Sequence, residues 1–130
     1  MSARDRVLLA DDDPLSRDFL AEALQSFGCD VMAVTDGRAA IEAMTVGQFD
    51  FVVTDLRMPH ADGMEVMAAS KSHEPDRPVV LVTAHGTMHV AVAAMREGAA
   101  DVLEKPVELD ALEAVLERIR ERRRLMRENT

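Results

Sequence analysis

Two kinds of hydrophobic pattern alternate along this chain. Short, largely β-branched apolar runs lie at 7–10, 31–34, 51–54, 79–83 and 101–103, and the stretches between them carry apolar residues at helical spacing. The first helix opens at Asp13-Pro14, with Asp as N-cap and Pro at the first helical position, where its missing N–H costs nothing. Phe19, Ala23, Leu24 and Phe27 then recur on one face, and Gly28 stops the helix. A second helix is predicted over 37–46 with Ala40, Ile41 and Met44 inward, ended by Gly47. A third starts near Gly63-Met64 and fades before Pro75. The fourth opens at Thr87, presents Met88, Ala91, Val92 and Met95 on one face, and closes at Gly98. The fifth runs from Leu109 past Ile119 through Leu112 and Leu116.

Strict strand–helix alternation predicts an α/β fold: a single five-stranded parallel sheet with helices on both faces, for which 2-1-3-4-5 is a common doubly wound strand order and the one expected here. The continuous apolar character of the runs fits strands covered on both sides. No internal repeat or low-complexity segment interrupts the pattern. The fifth helix would next need an apolar residue near 123, but Arg123 stands there. A long coiled coil within the chain is therefore not expected. Residues 1–120 read as one domain, and 121–130 as an extension of the fifth helix that starts a connector to a domain outside this chain.

Composition narrows the class. The 130 residues are 48% hydrophobic and 30% charged, the balance of a soluble globular domain. No apolar run approaches the ~20 residues that span a bilayer. The polar N-terminus gives no signal peptide, so a cytoplasmic location is expected. The lone Cys29 excludes an internal disulfide and reads as a small buried residue at a strand start. Net charge is −9, unevenly spread: residues 1–116 hold nine Lys/Arg against 21 Asp/Glu, whereas 117–130 hold six Arg against three Glu. So acidic a body argues against direct nucleic-acid binding by this domain. His60, His73, His85 and His89 share no metal-ligand spacing. The nine methionines read mainly as gap-filling core residues.

The candidate chemistry lies where the apolar runs end. Asp11-Asp12 follow the first run, Asp55 the third, Thr83 ends the fourth, and Glu104-Lys105 follow the fifth. In the order 2-1-3-4-5 the first and third strands are neighbours, ~4.8 Å apart. Carboxylates that close raise one another's proton affinity, and a hard divalent cation removes the conflict. Mg²⁺, with Mn²⁺ as a substitute, takes few protein oxygens and suits a shallow crevice. Asp55 is the candidate nucleophile for phosphorus. Lys105 and the Thr83 hydroxyl are placed to hold two oxygens of a transferring group, and the small Ala84 leaves the attack line open. The Arg57 backbone carbonyl, two residues past Asp55, is a further metal ligand candidate. Asp13 is expected to serve only as a helix cap.

These residues resemble the receiver domain of two-component response regulators over about residues 5–120. The resemblance rests on Leu8-Leu9-Ala10-Asp11-Asp12-Asp13, Thr54-Asp55-Leu56-Arg57-Met58-Pro59 with Asp62-Gly63-Met64, Val82-Thr83-Ala84 and Glu104-Lys105-Pro106. It implies a flavodoxin-like sheet, and a phosphoryl group accepted by Asp55 from a phosphohistidine on a sensor histidine kinase. It also implies Mg²⁺ on Asp11 and Asp12, reading of the phosphorylated state by Thr83 and Lys105, and a cis peptide before Pro106. Thr83-Ala84-His85-Gly86-Thr87 and Gly98-Ala99-Ala100-Asp101-Val102 look most like receivers of nitrogen-regulator-type transcription activators. That implies a transcriptional output domain outside this chain, and a partner or homodimer contact through the helix 4–strand 5–helix 5 face. Relatives often carry Tyr or Phe three residues before the lysine, where this chain has Val102, and Phe where it has Val107. The usual rotating aromatic is thus replaced.

Two other classes compete. An aspartate-nucleophile phosphatase or phosphotransferase commonly carries a second acid two residues after its nucleophile, where this chain has Arg57. A phosphate-independent, receiver-like binding module would have no need of the full set of acids, Thr83 and Lys105.

Overall fold

A computed structural model describes residues 4–84 and 88–128. Thr87 as the start of the fourth helix, His85, and the Met88 side chain lie outside the described residues. The order is β1 (Asp5–Ala10), α1 (Pro14–Ser26), β2 (Cys29–Val34), α2 (Gly37–Val46), β3 (Phe51–Asp55), α3 (Gly63–His73), β4 (Val79–Thr83), α4 (Met88–Arg96), β5 (Asp101–Glu104) and α5 (Leu109–Glu128). All strand pairings are parallel, in the order β2-β1-β3-β4-β5.

Helix starts follow from local hydrogen-bond chemistry. Asp13 caps α1 by accepting from the Ser16 N–H at 3.0 Å. Asp36 and Asp62 do the same for α2 and α3, each accepting from the N–H three residues on, at 2.8 and 2.9 Å. Gly28 and Gly98 follow α1 and α4 with φ of +93° and +106°, a conformation side chains resist.

Strand residues alternate between two cores. Val7, Leu9, Phe51, Val53, Val80 and Val82 meet α1 and α5 through Leu20, Leu24, Leu112 and Leu116. Leu8, Val52, Val79 and Leu81 face the other way, onto Ala40, Met44, Val66, Met67 and Ala94. The central strands are therefore apolar at successive positions. Edge strand β2 departs from this: Met32 and Ala33 are exposed.

Helix faces differ in detail from the periodicity. In α1 the buried positions are Leu20, Ala23 and Leu24, and Phe19 is 42% exposed. Among the described side chains of α4 the buried one is Ala94, whereas Val92 and Met95 face solvent. In α5 Leu109 is exposed and Val115 joins Leu112, Leu116 and Ile119 inside. The methionines divide: Met44 and Met67 are core, and Met32, Met95 and Met126 are exposed.

The far end of α5 is tied to the sheet's N-terminal edge. Arg120 pairs with Asp5, and Arg123 pairs with both Asp5 and Asp50.

Candidate functional site

Register decides which strand-end groups meet. Ala10 pairs with Thr54, so the next residues, Asp11 and Asp55, emerge side by side. Thr83 pairs with Glu104, so Lys105 leaves β5 beside the end of β4. The Lys105 N–H donates to the Thr83 carbonyl at 2.7 Å, extending that ladder by one bond. The Lys105–Pro106 peptide is cis.

Three acids converge here. Asp11, Asp12 and Asp55 each offer a carboxylate oxygen, all within 4.8 Å of one another. The Lys105 Nζ lies 3.1 Å from Asp55 Oδ2 and 3.4 Å from Asp11 Oδ2. Asp11 is fully buried, Asp55 half-buried and Asp12 exposed, which grades the crevice from its floor to solvent. Thr83 is buried and Ala84 exposed at its rim. Arg57 lies in the exposed turn after β3. Val102 is half-buried against the core on the α4 side.

The acids are held in place by neighbours. Asp55 Oδ1 accepts the Leu56 N–H at 2.9 Å. Asp11 accepts from the Asp13 N–H at 3.0 Å and from the Ser16 hydroxyl at 2.5 Å, and Arg17 donates to the Asp11 carbonyl at 3.0 Å. Ser16 and Arg17 escaped the sequence reading. The only trace they leave there is position: they fall in the first turn of a helix that begins three residues after Asp11. Gly63 is legible in the sequence as a helix start, but its packing role beneath the site is not. Its N–H donates to the Leu56 carbonyl at 2.7 Å, and a Cβ there would lie 2.5 Å from the Asp55 carbonyl oxygen. Only glycine lets the start of α3 pack this tightly under the site.

Burial pushes the Asp55 carboxyl above the usual aspartate range, against the lowering effect of Lys105, and the Asp11 charge adds to the rise. Burial pulls Lys105 down, but its hydrogen bond to Asp55 and the charges of both acids outweigh this and hold it above the ordinary lysine range. One ammonium thus serves two carboxylates and leaves a surplus of negative charge. Hard oxygen donors, crowded and under-neutralised, fit Mg²⁺ or Mn²⁺.

The family model for the response regulator receiver domain matches residues 7–117. The chain belongs to this family. The receiver is 43% identical over 127 residues to the C4-dicarboxylate transport transcriptional regulatory protein DctD of Pseudomonas aeruginosa, covering 98% of this chain and 28% of DctD. It is 38% identical over 117 residues to the transcriptional regulatory protein FixJ of Bradyrhizobium diazoefficiens, covering 90% of this chain and 57% of FixJ. Among solved structures, NtrX from Brucella abortus superposes with a TM-score of 0.90 at 32% identity, covering 97% of this chain and 29% of NtrX. The chain thus spans less than two thirds of each of these relatives. As a receiver it is a two-component signalling domain, a phosphorylation-controlled switch rather than a turnover enzyme, and its relatives are transcriptional regulators. No helix among the described residues is long and apolar enough to cross a membrane.

Proposed function

We propose that Asp55 is the phosphoacceptor of this receiver. We infer that Asp11, Asp12, Asp55 and the Arg57 backbone carbonyl hold Mg²⁺, or Mn²⁺ in its place. The observation that carries this reading is the convergence of three carboxylates within 4.8 Å, with the Lys105 ammonium 3.1 Å from Asp55. When bound, the cation neutralises the acids and the incoming phosphoryl oxygens.

The donor is a phosphohistidine on a sensor histidine kinase. An Asp55 carboxylate oxygen bonds to phosphorus and the P–N bond breaks. The leaving imidazole nitrogen keeps the electron pair and takes a proton from water. Lys105 and the Thr83 hydroxyl each hold a peripheral oxygen of the group in flight, and Ala84 leaves room along the line of attack. Because these residues belong to the receiver, it assists its own phosphorylation and dephosphorylation.

The product carries about −1.5 to −2 charges on its phosphoryl group. Thr83 and Lys105 turn toward it, and α4, β5 and α5 shift as a face that contacts a partner or a second copy. Val102 fills the position of the usual aromatic, so the shift runs through repacking of α4 rather than rotation of a ring. Residues 1–120 form the receiver, and 121–130 begin a connector to a transcriptional output domain. The domain works in the cytoplasm and does not itself bind nucleic acid.

The test is labelling by acetyl phosphate with Mg²⁺. Wild type gains one phosphoryl group, and Asp55→Asn and Asp55→Ala gain none. Undiminished labelling of either variant refutes the assignment.

A further inference from the structure

A second charged feature lies at the opposite, N-terminal edge of β4 and β5. The loop before β4, the turn before β5 and one side of α5 enclose a cleft of about 280 Å³. It is lined by five cationic side chains against two carboxylates, on a chain whose net charge is −9. Two of the five are already engaged: Arg118 pairs with Asp101, and Arg123 with Asp5 and Asp50. The other three are Lys71, Arg77 and Arg122, and none has a carboxylate within ion-pair distance among the described residues.

Arg77 is the anomaly. It is 7% exposed, and its guanidinium donates to the Ser70 hydroxyl at 2.8 Å, the Ser70 carbonyl at 3.5 Å and the Met44 sulfur at 3.4 Å, while the Glu74 charge acts on it only from beyond ion-pair distance. A buried cation is ordinarily paired with an anion. Gly98 fixes a second cation. A Cβ at Gly98 would fall 2.6 Å from Lys71 Cε and 2.8 Å from its Nζ, so the lysine stem lies across the bare turn with its ammonium at the cleft. Arg122 comes from α5 on the far wall. The remaining lining includes apolar groups such as Pro75, Val115 and Ile119.

We propose that this cleft binds a compact phosphate-bearing small molecule through Lys71, Arg77 and Arg122. Guanidinium forks match phosphate oxygens bidentately, and a lysine adds a mobile point charge. Three cations without carboxylate partners ask for an anion carrying more than one charge. The volume lies just below the ~300 Å³ at which small-molecule pockets begin, which favours a compact ligand. An extended polyanion is disfavoured by the acidic remainder of the surface. The site is separate from the Asp55 crevice and does not depend on that assignment.

The probe is inorganic pyrophosphate, titrated into the isotope-labelled chain in metal-free buffer at constant ionic strength, with backbone amide shifts as the readout. Saturable shifts centred on Lys71, Gly98, Ala100 and Arg122 are expected. Lys71→Gln with Arg122→Gln should weaken binding about tenfold or more while acetyl phosphate labelling of Asp55 persists. Should the double variant lose its fold, Arg122→Gln alone, at an exposed position, carries the comparison. Shifts that never saturate, shifts spread over the other arginines of α5, or an unchanged affinity in the variant overturn the proposal.

Discussion

Asp11 shows how much of the site depends on residues that never touch a phosphoryl group. Its buried carboxylate is oriented by the Ser16 hydroxyl and the Asp13 N–H, which fixes the oxygens left over for Lys105 and a cation. Residues that orient a metal ligand typically matter ~10–100-fold in affinity. Ser16→Ala is therefore expected to weaken Mg²⁺ binding about tenfold with the fold intact, as read by a Mg²⁺ titration monitored by NMR or calorimetry. An unchanged affinity would show that Asp11 orients itself. The acids, Thr83 and Lys105 were legible in the sequence because parallel strands bring their ends to one edge. Ser16 was not, because its contact depends on how the first turn of α1 folds back over the β1–α1 loop. Cys29 gives a prediction of a different kind. Burial pushes its thiol above the usual range, with Arg120 pulling the other way. A raised value means that the contribution of Cys29 to stability is complete below the unfolded thiol value and is lost as pH rises through the folded one. Wild type should thus lose thermal stability on the alkaline side faster than Cys29→Ala. Parallel melting profiles of the two proteins would contradict this.

Elements repeat the lesson with a clearer error. All five strands and five helices were legible, since runs of β-branched residues and helical spacing rarely mimic each other over such lengths. The inward faces were less so. In α1, both Phe19 and Leu20 continue the spacing set by Ala23 and Leu24, and a one-residue offset is about 100° of rotation. The sheet selects Leu20 and leaves Phe19 at 42% exposure. Leu24→Ala should accordingly cost about 2–5 kcal/mol in denaturant unfolding, whereas Phe19→Ala should cost markedly less. Equal costs would mean that α1 packs on a different face. In α4 the spacing picks out Met88, Ala91, Val92 and Met95, yet Val92 and Met95 face solvent and only Ala94 is buried among its described side chains. A nine-residue helix held by so little apolar contact belongs to the low-stability end of the molecule. Its amides are expected to exchange with solvent well before those of α1 and α5. Comparable protection in all three helices would contradict this ranking.

At the scale of the whole molecule, the sheet separates two charge regimes. Its C-terminal edge gathers more acid than Lys105 alone neutralises, and its N-terminal edge is laced by arginines. Arg120 and Arg123 fasten α5 to Asp5 and Asp50, and so hold the helix to the body near its far end. These long-range pairs were invisible in the sequence, where Arg120 and Asp5 stand 115 residues apart. At the other edge distant segments converge on Asp55, the proposed phosphoacceptor, and its reactivity there is the point to test. It is tested most directly by treating the chain with acetyl phosphate, with and without Mg²⁺, and measuring intact mass before and after hydroxylamine. The prediction is a gain of one phosphoryl group only with Mg²⁺, removed by hydroxylamine as an acyl phosphate must be, and leaving its hydroxamate on the peptide that contains Asp55. A modification that forms equally without the metal, resists hydroxylamine, or maps to another residue would contradict the account.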